Sequence, residues 1–130
     1  MGDRLKNKVT LVTGGGSGLG AAICKRFAEQ GAIVFPADIN EATAAAVSRE
    51  CEKLTPGGAA LAVDVADSSS VRKMFGELGK RQKRLDVLVN NAGIALRGAR
   101  AAAFVSIMTK QTEEMVSKGR IETHCDTTVE

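Results

Sequence analysis

Tyrosine and tryptophan are absent from the 130 residues of this chain, and its only aromatic side chains are four phenylalanines. No phenol is therefore on hand for acid–base chemistry. Cysteine is scarce too. Cys24, Cys51 and Cys125 are odd in number, widely scattered and without metal-ligand spacing, which excludes a disulfide framework and fits a reducing compartment such as the cytoplasm. The single histidine, His124, stands beside Cys125 and Asp126, but three consecutive side chains point in different directions, so no metal is expected. No run approaches the roughly 18 apolar residues of a membrane span. The charged start MGDRLKNK has no apolar stretch of signal-peptide length behind it. The chain reads as soluble and intracellular, with no membrane partner. A net charge of +3, with acids interleaved among the bases, argues against nucleic acid as a partner. The densest basic cluster, Lys80, Arg81, Lys83 and Arg84, reads as cations near the negative pole of a helix.

What remains is an ordinary globular composition, 44% hydrophobic and 25% charged, with room for one domain. Apolar and helical runs alternate with a regular beat. Val9 to Thr13 is a short strand, and Gly18 to Gln30 a helix with Ala21, Ala22, Cys24, Phe27 and Ala28 at helical spacing, closed by Gly31. Ala32 to Ala37 is a second strand, to which Pro36 is a minor objection. Glu41 to Leu54 is a second helix capped by Asn40. Ala59 to Val65, Ser68 to Arg81 with a serine cap, and Leu85 to Val89 complete a third strand, a third helix and a fourth strand. That order predicts parallel pairing through right-handed crossovers, an open doubly wound sheet over the first 93 residues. Beyond Gly93 the beat is lost: Ala99 to Lys118 carries helical spacing through Phe104, Val105, Met108, Met115 and Val116, and no fifth strand follows.

Five of the seven residues from Gly14 to Gly20 are glycine, between the first strand and the first helix. In an open parallel sheet, ligands settle outside the carboxyl ends of the strands, and a helix opening there offers free amides and a positive dipole end to a pyrophosphate. Glycine supplies positive φ at some positions and lets a phosphate approach the backbone at others. Gly16, Gly18 and Ala21 also match the G-x-G-x-x-A register of dinucleotide sites. Asp38 follows Gly20 by 18 positions and ends the second strand, near the interval at which an acid receives a ribose 2′-hydroxyl. A carboxylate there repels a 2′-phosphate, and no Arg or Lys stands in the loop or directly after Asp38, so NAD is favoured over NADP. The bland alternatives are a structural glycine turn and an Asp38 that merely caps the next helix.

Together, TGGGSGLG (Thr13 to Gly20), the pair Asp64 and Val65, and NNAG (Asn90 to Gly93) resemble the short-chain dehydrogenase/reductase family, classical type, over roughly residues 5 to 95. The resemblance implies an α/β fold, a Rossmann-type doubly wound parallel sheet, here truncated after about four strands with a helical C-terminal tail. It implies that Gly14, Ser17, Gly18, Leu19 and Gly20 hold the pyrophosphate and Asp38 the adenosine ribose. Asp64 and Val65 would meet the adenine, Asn91, Ala92 and Gly93 would pass beneath the cofactor, and Asn90 would help tie the central strands together. Gly15 and Gly16 fall at variable positions of the motif.

The family's chemistry is carried by a Ser, a Tyr and a Lys, the last two as Y-x-x-x-K some way beyond NNAG. Without tyrosine, no catalytic residue can be assigned in this chain. Ser106 and Lys110 mimic the spacing but follow Gly93 too closely, with no strand between to bring them to the cofactor. The resemblance therefore implies the NAD-binding core of an oxidoreductase (residues 1–95) with a helical or irregular tail (residues 96–130), a fragment inactive by itself. DTTVE, Asp126 to Glu130, resembles the start of the family's next element, which would make Leu96 to Thr123 an insertion; a divergent end from a splice or frameshift event is the other reading. The intact enzyme would transfer hydride between nicotinamide and a small-molecule secondary alcohol or ketone and would be a homo-oligomer. The rival reading is a non-catalytic dinucleotide-binding or interaction module. NNAG argues against an epimerase or methyltransferase on the same fold.

Overall fold

Val9–Thr13 is buried at all five positions, and that requirement explains a run without charge: a strand covered on both faces cannot alternate apolar with polar. The computed structural model describes residues 2–91. The expected tail of residues 96–130, with its helical run, the Ser106 and Lys110 pair and the His124 cluster, lies outside the described residues, as do Ala92 and Gly93. The elements are β1 (Val9–Thr13), α1 (Gly18–Glu29), β2 (Ile33–Asp38), α2 (Glu41–Leu54), β3 (Leu61–Ala62), α3 (Ser68–Arg81) and β4 (Val87–Val89). All three strand pairings are parallel, in the order β3-β2-β1-β4. The chain thus winds outward from β1 to β3 and then crosses back to the other side of β1. This is the Rossmann-type doubly wound sheet that the alternation predicts.

Side-chain alternation along the strands divides the core in two. Val9 and Leu11 of β1 and Phe35 and Ala37 of β2 pack with Val71, Met74, Phe75 and Leu78 of α3. On the opposite face Val12 and Val34 pack with Cys24 and Ala28 of α1 and Val47 and Cys51 of α2. A right-handed crossover forces this arrangement, because the return from β3 to β4 runs in the reverse direction and must use the other face.

The helix ends follow local chemistry. After α1, Gly31 has φ 87°, its N–H donates to the Ala28 carbonyl at 3.1 Å and the Ala32 N–H to the Phe27 carbonyl at 3.1 Å. That bond pair stops a helix and turns the chain into the next strand. Asn40 caps α2, its Oδ1 accepting the Thr43 N–H at 3.3 Å. For α3 the cap is Asp67 rather than a serine: its Oδ1 accepts the Ser69 N–H at 2.9 Å and the Ser69 hydroxyl at 2.7 Å.

Three further expectations are corrected. The third strand is reduced to Leu61–Ala62: the Val63 N–H still reaches the Asp38 carbonyl at 3.1 Å, but the Asp64 N–H leaves the ladder for Ser70 Oγ at 2.8 Å. The fourth begins at Val87, because Asp86 spends its side chain on the ladder. Asp86 Oδ2 accepts the Val9 N–H at 2.8 Å and the Arg84 Nε–H at 3.0 Å. Ala22 is exposed, on the outer side of α1. Pro36 is accommodated inside the sheet. The Ile33 N–H donates to Lys8 of the segment entering β1, so by alternation Pro36 faces β3, whose pairing starts only opposite Ala37.

The Ser69 hydroxyl and amide hold the Asp67 carboxyl below its ordinary value. A group depressed in the folded state adds stability that is complete above the ordinary carboxyl range and is lost as pH falls through the depressed value. Acidification from about pH 7 to about pH 2 is therefore expected to lower the Tm of the wild type further than that of Asp67→Asn, read by circular dichroism. Equal declines would contradict this role.

Candidate functional site

The carboxyl ends of β1, β2, β3 and β4 open onto one cleft of about 380 Å³, lined by Gly14, Ser17, Gly18, Leu19, Asp38, Ile39, Val63, Asp64, Val65 and Asn91. Eight of the eleven residues expected at the site are therefore wall residues of a single cavity. Gly20 is buried behind the wall, in the first turn of α1. Ala92 and Gly93 lie outside the described residues.

The glycines of the loop do different work. Gly18 has φ 54° and nothing within 4 Å of where a Cβ would stand, so its open side faces the cleft. A Cβ on Gly20 would overlap the Gly14 carbonyl and come within 2.7 Å of Asn91 Nδ2. Gly20 thus lets α1 lie directly against the loop and the end of β4. Gly15 and Gly16, expected at variable positions, are also enclosed: a Cβ on Gly15 would stand 2.8 Å from the Val12 carbonyl, and one on Gly16 would meet the Thr43 hydroxyl.

Anchors fix the loop from below. The Gly15 N–H donates to the Ala37 carbonyl at 3.0 Å, and the buried Cys24 thiol faces the Gly15 carbonyl with Sγ at 4.0 Å. Burial, with a smaller contribution from Cys51, pushes the Cys24 thiol up to about 12, and burial pushes Cys51 up to about 11. Both stay protonated and serve as packing. Thr13, buried at the end of β1, donates its hydroxyl to the Val89 carbonyl at 3.3 Å and accepts the Asn91 N–H at 3.0 Å. One side chain thereby ties the start of the glycine loop to the end of β4. Asn90 is half-buried, and its Oδ1 is buried with no hydrogen-bond partner among the described residues.

Electrostatically the cleft has a positive floor and two carboxylates in its wall, Asp38 and Asp64. Ser17, at the N-cap of α1, makes no side-chain cap bond, and the first turn holds no acid; α2 and α3 are both capped by side chains. The amides and dipole end of α1 are left open toward the cavity. Asp38 makes a negative corner, with Oδ2 accepting the Gly16 N–H at 3.0 Å and Oδ1 the Asn40 N–H at 3.1 Å. Each oxygen keeps a second lone pair.

Two contributors, Ile39 and Val63, escape the motif reading and line the cavity, while Thr13, the first residue of the glycine motif, gains a role in joining its two halves. Ile39 could have been found as a large apolar residue next to the acid at a strand end; it is 65% exposed, which suits a surface awaiting an apolar ligand face. Val63 gives no separate signal, since it reads as one more core strand residue.

A parallel sheet with its cleft at the switch point, a glycine loop and an acid on the neighbouring strand defines an α/β protein of the Rossmann type. The family model described as short chain dehydrogenase matches residues 8–120, and the chain belongs to that oxidoreductase family. It is similar to meso-2,3-butanediol dehydrogenase of Serratia marcescens, 41% identical over 97 residues that cover 74% of this chain and 38% of the relative. Among solved structures it resembles 3-ketoacyl-(acyl-carrier-protein) reductase from Brucella melitensis complexed with NADH, with a TM-score of 0.72 and 29% identity over 90% of this chain and 56% of that one. It also resembles L-sorbose reductase from Gluconobacter frateurii complexed with NADPH and L-sorbose, with a TM-score of 0.76 and 25% identity over 90% of this chain and 49% of that one. The chain spans about a third of the length of the curated relatives it matches.

The two steric regimes in the loop separate experimentally. In urea unfolding, Gly18→Ala is expected to cost about 1 kcal/mol, the strain of a left-handed backbone in open space. Gly20→Ala is expected to cost about 2 to 3 kcal/mol, since its methyl meets backbone that cannot step aside. Equal losses, or a larger one at Gly18, would contradict the assignment.

Proposed function

We infer that this chain is the cofactor-binding part of an NAD-dependent short-chain dehydrogenase, with residues 1–95 as the binding unit. The observation that carries the reading is the convergence of Gly14, Ser17, Gly18, Leu19, Asp38, Asp64, Val65 and Asn91 on one cavity around the uncapped end of α1. A nicotinamide dinucleotide fits such a wall: open amides for a pyrophosphate, a carboxylate for a ribose, and apolar side chains for an adenine.

In this reading Gly14, Ser17, Gly18 and Leu19 present backbone to the pyrophosphate, and Gly20 keeps α1 close enough for its dipole to act. Asp38 accepts hydrogen bonds from the adenosine ribose hydroxyls and repels a 2′-phosphate, which favours NAD over NADP. Asp64, Val65, Val63 and Ile39 border the adenine. Asn91, Ala92 and Gly93 would pass beneath the cofactor, and Thr13 holds Asn91. When bound, the dinucleotide supplies or receives hydride at the nicotinamide ring. The substrate of the intact enzyme would be a small alcohol or ketone, its assembly a homo-oligomer and its place the cytoplasm. The 130-residue chain contains no tyrosine and would by itself bind cofactor without turning over.

Calorimetric titration is the test. NAD is expected to bind at least about tenfold more tightly than NADP, a difference of about 1.4 kcal/mol, while no oxidation of NADH with ketones is observed. Absence of dinucleotide binding would refute the reading, and a preference for NADP would refute the role of Asp38.

A further inference from the structure

Recognition of ribose hydroxyls needs only a carboxylate that faces the cleft. Asp38 is bound on both oxygens to the protein itself, and in two different segments. The geometry points to Asp38 as a clamp that fastens the glycine loop to the start of α2, so that it positions the pyrophosphate-binding backbone as well as the ribose. This inference rests on the NAD reading above.

Asp38 Oδ2 accepts the N–H of Gly16, 22 residues earlier in the chain, at 3.0 Å. Its Oδ1 accepts the N–H of Asn40 at 3.1 Å. Gly16 is where the loop presses against the start of α2. A Cβ there would run into the Thr43 hydroxyl, and would stand 2.9 Å from Asp38 Oδ2 and 3.0 Å from the Ala44 backbone nitrogen. Thr43 cannot give way easily, because its hydroxyl donates to the Asn40 carbonyl at 3.0 Å and its N–H to Asn40 Oδ1 at 3.3 Å. Glycine at position 16 is thus a consequence of the clamp: the loop must reach the carboxylate with nothing between.

The clamp also sits where the loop is otherwise least held. Gly15 is tied to β2 by its own N–H on the Ala37 carbonyl. Beyond Gly16 come Ser17, which makes no cap bond, and Gly18, which touches nothing on its open side. The carboxylate on the Gly16 amide is therefore the last described tie before the backbone that faces the pyrophosphate. A hydrogen bond with one ionised partner is stronger than a neutral one, and it tolerates little misalignment. Losing it would free the loop at the position where the phosphate must meet preset amides.

Two roles for one carboxylate make a distinguishable prediction. A residue that recognises only ribose hydroxyls matters only to ligands that carry them; a clamp matters to every ligand that uses the loop. Affinities of the 130-residue chain for NAD and for an analogue lacking both hydroxyls of the adenosine ribose, 2′,3′-dideoxy-NAD, would be measured for wild type, Asp38→Ala and Asp38→Asn. Asp38→Ala is expected to weaken the dideoxy analogue about tenfold, the scale of one charge-assisted hydrogen bond. Asp38→Asn keeps one acceptor oxygen and is expected to fall between. Unchanged affinity for the dideoxy analogue in Asp38→Ala overturns the clamp, even where NAD itself binds less well. Amide hydrogen exchange on the unliganded chain separates this from the cofactor reading. Failure of every dinucleotide to bind refutes the NAD assignment alone. The clamp is then upheld by faster exchange at Gly16 and Asn40 in Asp38→Ala, or in Asp38→Asn where the alanine variant does not fold, and is overturned by unchanged exchange.

Discussion

The first turn of α1 rests on the loop that leads into it, with no side chain between Gly20 and the Gly14 carbonyl. The site depends on that contact. It brings the open amides of the helix to the edge of the sheet, and it aims the helix dipole into the cleft rather than past it. The same turn lies against Asn91, which Thr13 holds to the end of β1. A methyl group at position 20 would separate three elements at once. Behind this contact the core is filled at its most buried positions by small and polarizable groups, Cys24 and Ala28, with Phe27 packed against them from the side.

Around that contact the cleft divides its chemistry by sign. Among the described residues no Lys or Arg lines the cavity, and its positive potential comes from backbone. Negative charge is confined to Asp38 and Asp64. Between them stand apolar Ile39, Val63 and Val65, and Leu19 is 68% exposed on the opposite lip. Such a surface suits an elongated ligand whose anionic middle joins two less polar ends. NADH and NADPH both occur in the solved structures that this chain resembles. In the proposed reading, the corner where Asp38 meets Gly16 decides between the two.

Much of this was legible in the residues. α2 was bounded at Glu41 and Leu54 with Asn40 as its cap, because an asparagine before a long helical run has few other uses. The glycine loop and Asp38 are legible because five glycines in seven residues and an acid ending a strand stand out from an ordinary core pattern. The third strand was overestimated because AALAVDV has the right composition throughout, while the ladder depends on whether a partner amide chooses a carbonyl or the Ser70 hydroxyl. The serine run at Ser68 to Ser70 hid the cap at Asp67. Gly15 and Gly16 were underrated for a related reason. Apart from the Val12 carbonyl beside Gly15, their constraint comes from Pro36, Thr43 and Ala44, more than twenty residues away, and a motif spacing contains no information about what stands above it.

In the proposed reading, the cleft at the end of β1 binds NAD through the α1 terminus and the Asp38 corner. The most direct measurement is the map of backbone amide shifts in the NMR spectrum of the chain as NAD is added. The largest changes are expected at residues 14–20, 38–40, 63–65 and 91, with the basic end of α3 unmoved. Changes concentrated at Lys80 to Arg84, or none in the glycine loop, would contradict it.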